Sequence, residues 1–141
     1  MSDPTATTFT LVIERVFPHP PEKLWRALTE SSLLAQWMME NDFEPVVGHR
    51  FQFRADPTSN WSGAVDCKVL VVNPPLRLSY IWSPTARGPH MVVLLTLTPA
   101  GGGTHLRIEQ SGIPDGRGKT WADYSWQKYL GDLEKLLAGL Q

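Results

Sequence analysis

Residues 24–37, "LWRALTESSLLAQW", decide how the chain folds. A single helix keeps its apolar residues in phase. Leu24, Trp25 and Leu28 share one face, which at 3.6 residues per turn continues to positions 31, 32 and 35. Those positions hold Ser31, Ser32 and Ala35, while the next bulky groups are Leu33, Leu34 and Trp37. The apolar stripe changes phase, so the stretch reads as two short helices at an angle, each burying its own stripe. Pro20 and Pro21 suit the first turn of the first helix, where a missing N–H costs nothing, and Glu22 complements its positive end. Thr29 or Ser31 is placed to cap the second helix, which ends near Trp37.

Working outward, "TFTLVIERVF" (Thr8–Phe17) is a strand rich in β-branched and aromatic residues. Beyond "ENDFEPVVG" come short alternating runs separated by turn signals. Phe51 and Phe53 oppose Gln52 and Arg54. Trp61, Val65, Cys67, Val69 and Val71 oppose Ser62, Asp66 and Lys68. Leu76, Leu78, Tyr80 and Trp82 oppose Arg77 and Ser79, and Leu106, Ile108 and Gln110 oppose His105, Arg107 and Glu109. Antiparallel strands with one apolar and one wet face read this way. "DPTSN", "NPP", "SPTARGPH" and "PAGGG" supply the turns. Past "GIPDGRG", residues 119–139 form the longest helical pattern, with Trp126, Leu130, Leu133, Leu137 and Leu140 on one face. The order β-α-α, several antiparallel strands, then one long helix is an α+β, two-layer design.

The chain has 141 residues, 42% hydrophobic and 19% charged, which fits one globular domain with a proper core. Residues 1–7 read as a flexible N-terminus. The net charge of -1, without a basic stripe, argues against nucleic acid as a partner. Cys67 is the only cysteine, so no internal disulfide forms and a reducing compartment fits. No signal peptide is evident, and runs such as Met91–Leu95 fall far short of the about 20 apolar residues that span a membrane. The expectation is a cytoplasmic protein.

Together, "PPEKLWRALTESSLLAQWM", "VGHRFQF", "GAVDCKVLVVNPPLRLSYIW", "LTLTPAGGGTHLRIEQSG" and "WQKYLGDLEKLL" resemble the activator of Hsp90 ATPase homologue 1-like family. That family belongs to the START-like (SRPBCC), helix-grip superfamily of ligand-binding, lipid-transfer and polyketide-cyclase proteins. The resemblance covers roughly residues 8–138. It implies a curved antiparallel sheet of about six or seven strands around the C-terminal helix, with the two small helices closing one end and a cavity between. Family members often carry glycine before the tryptophan that starts the last helix stripe. Here Ser125 precedes Trp126.

No catalytic or metal motif is evident, and no cofactor is called for. His19, His49, His90 and His105 are scattered singly, without metal-ligand spacing. Cys67 reads as a small core hydrophobe, and "GGGT" (Gly101–Thr104) as a hairpin loop rather than a phosphate loop. The six tryptophans and four methionines carry more information. Trp61, Tyr80, Trp82 and Trp126, with Met91, either fill the core or wall a pocket, and six indoles are hard to interdigitate around one helix without a void. Gln110 faces inward and must find partners: a neighbouring group or a ligand. Trp37 plugs the open end of the sheet, and Met38 or Met39 could gate it. Arg15 and Glu109 sit on strands where they could pair.

Three functions compete. The first is binding of a small apolar or aromatic molecule between sheet and helix, with Trp61, Tyr80, Trp82, Met91, Gln110, Trp126 and Met38 as the candidate ligand-binding residues. The second is a polyketide cyclase or aromatase-like enzyme, with Gln110, Tyr80 and Ser125 as polar groups. The third is an Hsp90 partner, which the resemblance implies; it ranks last because stimulation in the eukaryotic activator also involves an N-terminal domain. An exposed edge strand could pair in a homodimer, although nothing in the sequence demands it.

Overall fold

The phase change in residues 24–37 falls at Glu30. In the computed structural model, which describes residues 8–59, 61–85 and 89–140, helix α1 (Pro21–Thr29) and helix α2 (Ser31–Trp37) meet there. Glu30 is extended, with φ -89° and ψ 117°; its N–H donates to Arg26 O while its own carbonyl accepts from Leu34 N. One extended residue therefore ends one helix and starts the next. The indole N–H of Trp37 donates to Ala27 O at 2.8 Å and ties the two helices together. Leu24, Ala27 and Leu28 are buried from α1, and Leu33, Leu34 and Trp37 from α2. The expected cap is different from the one found. Ser31 Oγ donates to Asn41 and Thr29 Oγ1 to Trp25 O, so neither caps α2.

Seven antiparallel strands form one sheet: β1 (Phe9–Phe17), β2 (Glu40–Asn41), β3 (Arg50–Arg54), β4 (Ala64–Asn73), β5 (Arg77–Ser83), β6 (Met91–Ala100) and β7 (Gly103–Ile113). Their spatial order is β1-β7-β6-β5-β4-β3-β2. The first strand thus returns beside the last, and the intervening strands are laid down as successive neighbours. The sheet wraps helix α3 (Gly116–Gly139), whose Ala122, Trp126, Leu130, Leu133 and Leu137 are buried in one stripe. Each such leucine contributes roughly 2 kcal/mol by leaving water. The helix starts three residues before the sequence pattern predicts. Asp115 accepts a hydrogen bond from Gly118 N at 2.7 Å and caps it, although the glycines at 116 and 118 carry no helical pattern.

The alternation fails in three places, each for a local reason. A β-bulge between Val69 and Val71 shifts the register of β4, so Val71 is exposed and Val72 packs on the core instead. Leu76 lies in the turn before β5, donating its N–H to Asn73 O, and is also exposed. Trp61 lies before β4, cut off by Gly63 at φ +94°, where a Cβ would collide with Ala55 O. Arg15 and Glu109 do not pair. The register sets Arg15 opposite Leu106 and Glu109 opposite Val12. Arg15 instead reaches Glu134 (2.7 Å) and Gln127 (2.9 Å) on α3, and Glu109 is bound by Arg107. The expected flexible N-terminus lies outside the described residues, as do parts of the "DPTSN" and "SPTARGPH" turns. Among the described residues, no helix is long and apolar enough to cross a membrane.

Candidate functional site at the sheet–helix interface

The backbone of α3 packs closely against β1, β7, α1 and α2. On the other half of the sheet, β3 and β5 aim large rings at the interior, with Val65, Cys67 and Val69 of β4 between them. Phe51 and Phe53 come from β3, Tyr80 and Trp82 from β5. The strand period of two places each pair on the same face. These rings form an unbroken run of contacts. Phe43 meets Phe51 at 5.1 Å between centroids, Phe51 meets Tyr80 at 5.5 Å, and Tyr80 meets Trp82 at 6.5 Å. Trp82 then meets Trp126 of α3 at 6.3 Å, and Trp126 meets Tyr129 edge-on at 5.9 Å. The run therefore crosses from sheet to helix. Aromatic pairs at such distances contribute about 0.5–1.5 kcal/mol each beyond the area they bury.

Polar groups thread this cluster. Gln110 on β7 accepts from the Trp126 indole N–H at 2.8 Å, and its amide reaches Met91 Sδ on β6 at 3.2 Å. That settles Gln110 as a group held by two protein partners, both of them candidate residues themselves. Ser79, Ser83, Thr29 and Thr104, the other buried polar side chains, are likewise hydrogen-bonded. Cys67 Sγ lies 3.7 Å from Val65 O, and burial pushes its thiol pKa up, with Asp66 and Asp42 adding to the effect. It is a core group rather than a nucleophile.

Tyr80 is the exception. Its hydroxyl makes no hydrogen bond with any described residue, although the residue is only 2% exposed. Every wholly enclosed side-chain nitrogen or oxygen among the described residues does have a partner. The small accessible surface of Tyr80 therefore includes its hydroxyl oxygen, which opens onto a space the size of a solvent molecule. Burial, then the neighbouring Cys67 and Tyr129, holds the Tyr80 pKa far above the ordinary phenol value, so the hydroxyl stays protonated. Burial also raises Tyr129.

The structure brings Tyr80, Trp82, Met91, Gln110 and Trp126 together. Trp61 stands apart, half-buried in the β3–β4 connection, with its indole N–H donating to Ala64 O. Met38, the C-cap of α2, is half-buried against the core with Met39. Ser125 is half-buried on α3. Tyr129 is a member that the sequence reading passed over; it follows Trp126 by one helical turn, and that spacing was the available signal. Two hollows, of about 680 and 640 Å³, open elsewhere. One lies between α2 and β2 around Ser31, Glu40 and Arg54; the other is lined by Gln52, Asp66, Lys68, Ser83 and His90 and reaches Phe51 and Cys67 of the core. Neither is lined by Tyr80, Trp82, Gln110 or Trp126.

An antiparallel sheet gripping a long terminal helix, with two short helices after the first strand and an aromatic cluster between the layers, defines a START-like, helix-grip domain. The chain belongs to the activator of Hsp90 ATPase homolog 1-like family, whose profile matches residues 18–138. Among solved structures it is similar to protein MLL2253 from Mesorhizobium loti, at 46% identity over 94% of this chain and 99% of that one, with a TM-score of 0.86. It is also similar to DynU16, a protein in the dynemicin biosynthetic locus, at 25% identity over 92% of this chain and 47% of that one (TM-score 0.80). CalU16 from Micromonospora echinospora shares the fold at 21% identity over 96% of this chain and 80% of that one (TM-score 0.79). No curated protein matches.

Proposed function

We propose that this domain receives an apolar, aromatic small molecule between the β3–β5 half of the sheet and α3, and that the molecule is of polyketide type. The observation that carries this reading is the ring run from Phe51 through Tyr80 and Trp82 to Trp126 and Tyr129. It gives flat guests a flat wall on both layers, on the half of the sheet away from the close contact of α3 with β1 and β7. Trp82 is only half-buried and forms the mouth-side wall, Trp126 the floor, and Met91 the closed end beside Gln110. Met38 and Met39 act as the adaptable gate.

Two uses of such a pocket remain: carriage and catalysis. Resemblance to a protein of a biosynthetic locus favours catalysis of the cyclase or aromatase kind. Such a reaction needs a folded, water-poor enclosure more than it needs a triad, because holding reacting carbons in contact removes most of the entropic barrier. Hsp90 stimulation, the activity in the family's name, ranks behind it.

The test is thermal shift with emodin, a three-ring hydroxyanthraquinone. Binding to the native state alone raises the melting temperature. The expected result is a dose-dependent rise in the wild type that is reduced in Trp82→Ala. No rise with emodin or other fused-ring polyketides, or a rise indifferent to Trp82, would contradict the pocket. Incubation with a linear poly-β-ketone, followed by product analysis, then separates the two uses: faster ring closure marks an enzyme, and binding without turnover marks a carrier.

A further inference from the structure

The geometry points to the Tyr80 hydroxyl as the polar recognition point of the interior: a neutral hydrogen-bond donor that selects aromatic ligands bearing a carbonyl oxygen. This inference rests on the pocket proposed above and names the chemistry its ligand must carry. The other buried polar groups are already hydrogen-bonded within the protein. Gln110 is occupied by Trp126 and Met91, Ser79 by Val93 O, Thr104 by His19 O, and Cys67 by Val65 O. Among the fully buried side chains of the interior, Tyr80 keeps a donor that no described residue accepts, and its oxygen retains accessible surface.

The ring that carries this hydroxyl is fixed. Phe51 stands edge-on to it at 5.5 Å, Phe53 is tilted at 6.2 Å, and Trp82 is stacked at 6.5 Å. A donor held by three rings has little freedom to lose when a ligand carbonyl takes the place of water beside it. The hydroxyl stays protonated because of its burial, so it donates and does not act as a base. Its electrostatic neighbours are Cys67 and Tyr129, neither of which is a cation. An anionic ligand group would therefore be desolvated without compensation, whereas a ketone or quinone oxygen is matched. In a ring-closing reaction the same donor would meet an oxygen that gains negative charge as carbon attacks the carbonyl. The enol form of the attacking ketone supplies the electron pair for the carbon–carbon bond and its enol O–H proton passes to solvent, while the carbonyl π pair moves onto oxygen and a proton from solvent completes the alcohol.

The experiment uses two near-isosteric probes, 1-acetonaphthone and 1-ethylnaphthalene, which differ by one carbonyl oxygen. Each is titrated against the wild type and Tyr80→Phe by quenching of tryptophan fluorescence, and the melting temperature of each free protein is recorded. The expected result is that Tyr80→Phe binds the ketone about tenfold more weakly, the effect of one hydrogen bond, and binds the hydrocarbon within about twofold of wild type. Its ligand-free melting temperature should equal or slightly exceed the wild type, because no partner is lost. Equal ketone affinity in both proteins overturns the role of Tyr80 while leaving the pocket standing. A clear drop in the ligand-free melting temperature also overturns it, since the hydroxyl would then serve the free fold. Failure of both probes to bind the wild type overturns the pocket, and this inference with it.

Discussion

At the level of single residues, the interior is decided by which hydrogen bonds are made. Gln110 bridges β7, β6 and α3 through Trp126 and Met91. Replacing it with leucine keeps the volume but leaves the buried indole N–H without an acceptor. Urea denaturation of Gln110→Leu should therefore show a loss of about 1–3 kcal/mol. Unchanged stability would mean that Trp126 has another acceptor. Tyr80 makes a complementary prediction about pH. Its pKa is raised on folding, so the unfolded chain loses this proton first, near pH 10. Tyr80 ionisation does not affect folding below about pH 10 and opposes it as pH rises beyond. The melting temperature of the wild type should fall more steeply above that pH than that of Tyr80→Phe; parallel curves would show a solvent-exposed phenol. Strand alternation alone turned both Gln110 and Tyr80 inward. Their opposite fates were not legible, because the partner of Gln110 lies on another layer and its arrival depends on how α3 is rotated over the sheet.

Among elements, the contacts that matter are those that fix one piece of secondary structure against another. Trp37 joins α1 to α2 through Ala27 O and is 2% exposed. Trp37→Ala should cost about 3–5 kcal/mol, measured by chemical denaturation, because it opens a cavity as well as breaking that bond. The Arg15–Glu134 pair joins β1 to α3 at side-chain exposures of 27% and 55%. Arg15→Ala should cost no more than about 1 kcal/mol by the same measurement. A larger loss from Arg15 than from Trp37 would reverse the account of what seats the helices. The paired short helices, the strands and the long helix were legible because each has a period of its own. The bulge after Val69, the exposed Leu76 and the early start at Asp115 were not. A bulge adds one residue without changing composition, and a glycine-flanked cap lacks any apolar rhythm.

For the whole molecule, the sheet order places β1 beside β7 and leaves β3–β5 as the half that carries the rings. On the proposed reading, close packing of α3 against β1 and β7 supplies the stable core, and the ring-bearing half receives the guest. The family was legible from the order of several weak motifs, and the profile match confirms it. The ring run itself was legible only in part: Trp61 lies in the connection before β4, and Tyr129 joins the run unforeseen.

The chain carries its own reporters, since six indole N–H groups give separate signals in a proton–nitrogen correlation spectrum. Adding 1-acetonaphthone to the labelled protein is the most direct test of an interior guest. The account predicts that the Trp82 and Trp126 indole resonances move in a saturable way while that of the exposed Trp121 stays put. Movement of Trp121 alone, or of none of the six, would contradict it.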